Sequence, residues 1–171
     1  MMFTARYSVF VLALLASLSL SAAEQPVVIE DLSWLERRHL ESQVEQIDEL
    51  ARMKLGTPVR GNRDDLDLLQ RIVYRGLIPR DDIPALQALG AVLGNVMVAD
   101  LGLEWKVYQD QLGKSRAACV PGGSECLFPI TMLSRRMAVG LLPDIEQLYR
   151  DASAEIAPHI QRSRSHQKPS I

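Results

Sequence analysis

The stretch DDIPALQALGAVLGNVMVADLG, residues 81–102, constrains the fold more than any other segment of the chain. Between Ile83 and Leu101 its only charged side chain is Asp100, and a helix that is apolar all round must be buried all round. The rest of the chain therefore has to wrap this segment. Asp82 can cap its start, Pro84 fits the first turn, where the N–H it lacks has no intrahelical partner, and Gly102 can close it. Gly90 and Gly94 stand one helical turn apart, and each costs about 1 kcal/mol against alanine in a helix interior. Close approach of another element is the reason to keep them. The stretch has neither G-x-G-x-x-G nor G-K-S/T spacing and does not follow a strand, so it is not read as a phosphate loop.

The flanking segments are amphipathic. In DLSWLERRHLESQVEQIDELARMKLG, Ser33 and Glu36 form a capping-box pattern, Leu40, Val44, Ile47 and Ala51 recur at helical spacing, and Gly56 sits where a left-handed cap belongs. DLDLLQRIVYRG predicts a shorter helix with Leu66, Leu69 and Val73 inward and Gly76 after its end. After Gly102 the period becomes alternating. LEWKVYQDQLGKSRAACVPGGSECLFPI predicts three strands, with Trp105 and Val107 on one face, a turn at Asp110 to Gly113 and another at Pro121 to Ser124. Pro129 is expected to end the last strand, Thr131 to cap a helix closed by Gly140, and Asp144 to cap a final helix ending before Pro158. The expected class is α+β: three N-terminal helices, a small antiparallel three-stranded meander, then two C-terminal helices packed on the sheet.

The first residues address the chain. MMFTAR carries one charge, Arg6, and an uninterrupted run of apolar and small residues from Tyr7 to Leu20 follows, shorter than the roughly 20 residues that span a bilayer. Ser21, Ala22 and Ala23 are small enough for a cleavage site, so residues 1–23 are expected to be a signal peptide removed after Ala23. No later segment is expected to be long and apolar enough to enter a membrane, and no cysteine lies near the cut to carry a lipid. The expected layout is a single domain over 24–160 and a basic, disordered tail over 161–171, QRSRSHQKPSI, with Arg162, Arg164 and Lys168 and no acid. The net charge of −2 becomes −3 without Arg6, which argues against nucleic-acid binding.

The two cysteines lie in CVPGGSEC, residues 119–126. Two thiols cannot complete a structural zinc site, and a redox pair needs two intervening residues rather than six. In an oxidising compartment they are expected to pair. A four-residue turn at PGGS sets Cys119 opposite Cys126 within disulfide range.

Four segments, in order, resemble an uncharacterised family of small exported bacterial proteins classed as a domain of unknown function: LSWLERRHLESQ, LQALGAVLG, LEWKVYQDQLGKSRA and LFPITMLSRR. They span roughly residues 32–150. The resemblance implies an exported single domain with helices around a small sheet, and it implies no catalytic or binding residue. The cysteine pair is a local addition to that pattern.

Catalytic residues are sparse. His39, His159 and His166 pair with no visible nucleophile, Glu36 and His39 give Glu-x-x-His only once where a carboxylate-bridged metal centre needs it twice, and no calcium-loop spacing occurs. No cofactor and no metal site is expected. One polar group stands out: Glu104, Asp110 and Arg116 on the first hairpin, with Lys106 and Lys114, and Arg135 and Arg136 on the helix that follows. Folding the meander back would bring the arginines beside Asp110 or Glu104 as a partner or anion site; capping and surface ion pairs are the plainer alternative. The expected function is a non-enzymatic binding module, periplasmic or secreted, with an envelope or extracellular protein as partner. The alternative is a small hydrolase or polymer-modifying enzyme using carboxylates near Glu104 and Asp110.

Overall fold

The structure is a computed structural model in which residues 26–167 are described. In chain order the elements are β1 (Val28–Asp31), α1 (Trp34–Leu55), α2 (Asp64–Tyr74), α3 (Ile83–Leu101), β2 (Glu104–Asp110), β3 (Gly113–Cys119), β4 (Cys126–Leu127), α4 (Pro129–Ala138) and α5 (Ile145–Gln167). The expected leader and its cleavage point lie outside the described residues.

The apolar segment is the central helix. Leu86, Leu89, Val92, Leu93, Val96 and Met97 of α3 have no solvent exposure. Asp82 accepts the Ala85 N–H at 3.1 Å, and Gly102 closes the helix with φ 70°. Contrary to the expectation for segments after the leader, Ile83–Leu101 is long and apolar enough to cross a membrane; here it is wrapped by the other helices and the sheet.

Gly90 and Gly94 admit different neighbours. A Cβ on Gly90 would lie 2.5 Å from the Ile130 Cα, so α4 runs against α3 backbone to backbone. A Cβ on Gly94 would lie 2.2 Å from the Trp105 indole. α4 therefore lies chiefly along α3, and α5 against α2, rather than both resting mainly on the sheet.

The fold is α+β with five helices, as expected, but the sheet has four antiparallel strands, in the order β1-β2-β3-β4. The additional strand precedes the helices. Val28 to Asp31 is too short for alternation to show in the sequence, and it pairs with a strand distant in the chain, Val28 opposite Gln109 and Asp31 opposite Lys106. The β2–β3 hairpin turns between Asp110 and Gly113, and Cys119 opposes Cys126. Those two form a disulfide with Cα atoms 3.9 Å apart, and Val120 N–H bonds the Glu125 carbonyl across the PGGS turn at 2.9 Å.

Two boundaries set by a proline differ from expectation. Pro129 begins α4 rather than ending a strand, since its missing N–H falls in a first turn that needs no donor, and Thr131 lies inside the helix with its hydroxyl on the Phe128 carbonyl. Asp144 caps α5 through the Gln147 N–H, but the helix passes Pro158 and runs to Gln167, so residues 161–167 are its last turns rather than a disordered tail. Tertiary contacts outweigh the lost backbone bond: Ile156 and Ile160 enter the core, and Ser163 Oγ donates to the Pro121 carbonyl at 2.6 Å.

Candidate functional site

The strand register decides which candidate residues meet. Trp105, Val107, Arg116 and Ala118 share the face turned to α1 and α3, while Glu104, Lys106, Tyr108 and Asp110 share the other. On the inner face Arg116 donates to Gln43 Oε1 at 3.0 Å, and Gln43 is itself buried. Burial pushes the Arg116 guanidinium below its ordinary value, with the Glu36 carboxylate opposing the shift. Burial also lowers His39, and the Arg116 charge lowers it further. Beside them Lys114 Nζ meets Glu36 Oε1 at 2.8 Å, while Glu36 Oε2 accepts the Ser33 N–H and hydroxyl, each at 2.8 Å. The lysine hydrogen bond, reinforced by Ser33, holds Glu36 at about 2. These groups dock α1 onto the sheet.

On the outer face Lys106 Nζ is shared by Asp31 (2.6 Å) and Glu104 (2.8 Å). Asp110 accepts the Leu112 N–H at 2.8 Å, capping its hairpin turn. Arg136 turns back to the Met132 carbonyl of its own helix. Arg135 and Arg136 line a hollow with Phe128 and Glu155, and among the described residues no ion pair joins either to Glu104 or Asp110. The five candidate residues are thus spread over three places.

The largest hollow described, about 360 Å³, lies between α1, α3 and the start of β2. Trp105, Leu32, Leu40 and Val44 make its apolar surface, and Arg37, Glu41, Glu45 and Asn95 its polar rim. The rim is held in place: Arg37 donates to the Leu32 carbonyl at 2.9 Å, Arg38 pairs with Glu41 at 2.6 Å, and Asn95 Oδ1 accepts the Trp105 Nε1–H at 2.8 Å. The indole is thus fixed by a hydrogen bond at its edge and by Gly94 beneath it. The sequence reserved the Gly90 and Gly94 face of the central helix for a close neighbour and put Trp105 on one face of its strand. It did not show that the ring would be left half-buried beneath an opening, because Leu32 and Asn95 join it only through tertiary packing.

A second cleft, of about 270 Å³, lies between the PGGS turn and the end of α5. Ser124 Oγ donates to Glu125 Oε1 at 3.3 Å, and His159 Nδ1 lies 3.9 Å from the same oxygen. Ser124 Oγ has the carboxylate as its partner rather than the imidazole, which is not the order a nucleophile needs. Among the described residues no three His, Cys, Asp or Glu side chains group to hold a metal ion.

Residues 65–149 match the family model described as a domain of unknown function (DUF3806). The span runs from α2 into α5 and contains three of the four segments on which the resemblance rests; α1 lies outside it. No curated protein matches the chain. A crystal structure from Bacteroides thetaiotaomicron VPI-5482 is similar in fold, with a TM-score of 0.67 at 17% identity, covering 77% of this chain and 49% of that one. The chain thus spans about half the length of that structure, and the likeness is one of architecture.

Proposed function

We propose that the chain is an exported, non-enzymatic binding module that takes an apolar side chain of an envelope or extracellular polypeptide into the groove over Trp105. The observation that carries this reading is the groove itself. It is apolar within and charged at its rim, and its volume of about 360 Å³ falls at the small end of ligand sites, which run roughly from 300 to 1,000 Å³. A rigid indole with its N–H already satisfied offers contact area without a desolvation cost. The disulfide is compatible with an oxidising periplasmic or extracellular compartment, and the apolar leader supports export to one. The hydrolase alternative has less support, since Glu104 is spent on Lys106 and Asp110 on its turn.

The test is selection of displayed random peptides on the protein, followed by binding of the winners to Val44→Arg. Val44 lines the groove and packs against the core from its wall, so a cation there blocks the site, and a thermal melt of the variant separates a blocked site from a damaged core. Selected peptides carrying an apolar anchor should lose at least tenfold in affinity, about 1.4 kcal/mol. Peptides that bind Val44→Arg and wild type alike would place the binding surface elsewhere.

A further inference from the structure

A second feature, remote from the groove, is the loop between α4 and α5. Val139, Leu141 and Leu142 are 74%, 57% and 62% exposed, and Tyr74 at the end of α2 is 64% exposed. Gln70, one turn before Tyr74, donates to the Pro143 carbonyl at 3.2 Å and accepts the Ile145 N–H at 2.7 Å, which ties this loop to the end of α2. The core has no use for these side chains, because Met137 before the loop and Ile145 after it already fill the interior. Two loop amides are satisfied internally, Gly140 N–H by the Met137 carbonyl at 2.8 Å and Leu141 N–H by the Arg136 carbonyl at 3.0 Å.

Cations surround this apolar set. Arg135 and Arg136 end α4, the Arg80 guanidinium lies 3.9 Å from where a Gly140 Cβ would be, and Arg75 follows Tyr74. Among the described residues none of these four has an ion-pair partner, whereas Arg38, Arg52 and Arg60 each do. The acids beside these segments in the chain are Asp81, Asp82, Asp144 and Glu146, with Glu155 in the hollow that Arg135 and Arg136 line; Asp82 caps Ala85 at 3.1 Å, Asp144 caps Gln147 at 2.8 Å, and Glu146 is paired with Arg63 and Arg150.

We infer that this end of the molecule docks on an anionic lipid surface. Val139, Leu141 and Leu142 enter the headgroup region, Tyr74 lies at its level, and the arginines meet the lipid phosphates. The chemistry favours lipid over a protein partner: the apolar atoms protrude from a turn instead of lining a shaped hollow, and their flanking cations lack counterions. Insertion is shallow, because the remaining polar backbone of a loop finds no partner in hydrocarbon. The contact is reversible and salt-sensitive, not an anchor, and it goes beyond the peptide-binding reading. The groove uses Asn95 in the second half of α3, while this loop sits beside Arg80, ahead of that helix.

The test is co-sedimentation of the exported chain with vesicles of phosphatidylcholine, alone or with roughly one-third phosphatidylglycerol. Wild type should sediment with the anionic vesicles, release as salt rises from about 0.1 M to about 0.5 M, and stay in the supernatant when the vesicles are neutral. Leu141→Asp/Leu142→Asp should abolish binding, and Arg80→Ser and Arg135→Ser should each weaken it about five-fold. All these positions are exposed, so thermal melts of the variants should match wild type. Because every variant shares the wild-type N-terminus, the difference between them isolates the loop. Equal sedimentation of wild type and the double aspartate variant, or no preference of wild type for anionic vesicles, overturns the inference.

Discussion

Gly94 and Trp105 occupy one continuous volume: a β-carbon on the glycine would sit 2.2 Å from the indole ring. The missing side chain of one residue is the seat of the other, and the ring seated there lines the groove.

That relationship separates the two helix glycines by experiment. Alanine at Gly90 meets the Ile130 backbone, which cannot move without shifting α4, whereas alanine at Gly94 meets two side chains, the Trp105 indole at the edge of a hollow and, at 2.8 Å, the Pro129 ring. Gly90→Ala should therefore cost about 1–3 kcal/mol despite the gain in helix propensity, and Gly94→Ala less, with a change in tryptophan emission. Urea unfolding of both variants measures the order; a stabilised Gly90→Ala would refute the close helix contact.

Trp105→Ala should destabilise the fold by about 2–4 kcal/mol, somewhat less than a fully buried ring would cost, since the groove already opens one side. Trp105→Phe keeps the packing and gives up the bond to Asn95, so it should lose about 1 kcal/mol. Thermal melts that leave Trp105→Ala unchanged would count against its place between α1 and α3.

Glu36 predicts an acid-sensitive docking of α1 on the sheet. Its folded value, about 2, lies below its ordinary 4.5, so its contribution is present above about pH 4.5 and is lost as the pH falls towards 2. Glu36→Gln should lower stability at neutral pH and flatten the acid limb in that window. Urea midpoints collected across it provide the check, and parallel acid limbs for variant and wild type would contradict the assignment.

Reduction of Cys119–Cys126 should lower the melting temperature by several degrees without unfolding the protein. The bond closes a short loop, worth about 2.5 kcal/mol of chain entropy, and the core cluster does not depend on it. Calorimetry with and without reductant decides the matter, and complete unfolding on reduction would show that the hairpin organises the fold.

The exported form should begin at Glu24 and carry no free thiol under denaturing conditions. Intact mass and thiol titration measure both. Recovery of a chain that still includes Met1, or of two titratable thiols, would remove the case for export.

Local physics was legible in the chain. Capping at Ser33, Asp82 and Asp144, left-handed closure at Gly56 and Gly102 and the β2–β3 hairpin depend on residues a few positions apart, so spacing determined them, and the Cys119–Cys126 pairing followed from spacing together with the leader's address. The apolar run of α3 determined its own burial. Tertiary structure decided what depends on distant partners. β1 is a strand because β2 offers it an edge, α5 outlasts Pro158 because Ser163 and Ile160 are held by the body, and Gly90 and Gly94 receive different neighbours although the sequence spaces them alike. The candidate site was decided in the same way. Arg116 and Lys114 turned inward to Gln43 and Glu36, Glu104 was taken by Lys106, and Arg135 and Arg136 were carried to another part of the surface. A charge's partner is set by which groups the packed elements bring within a few ångströms, and no local period records that distance.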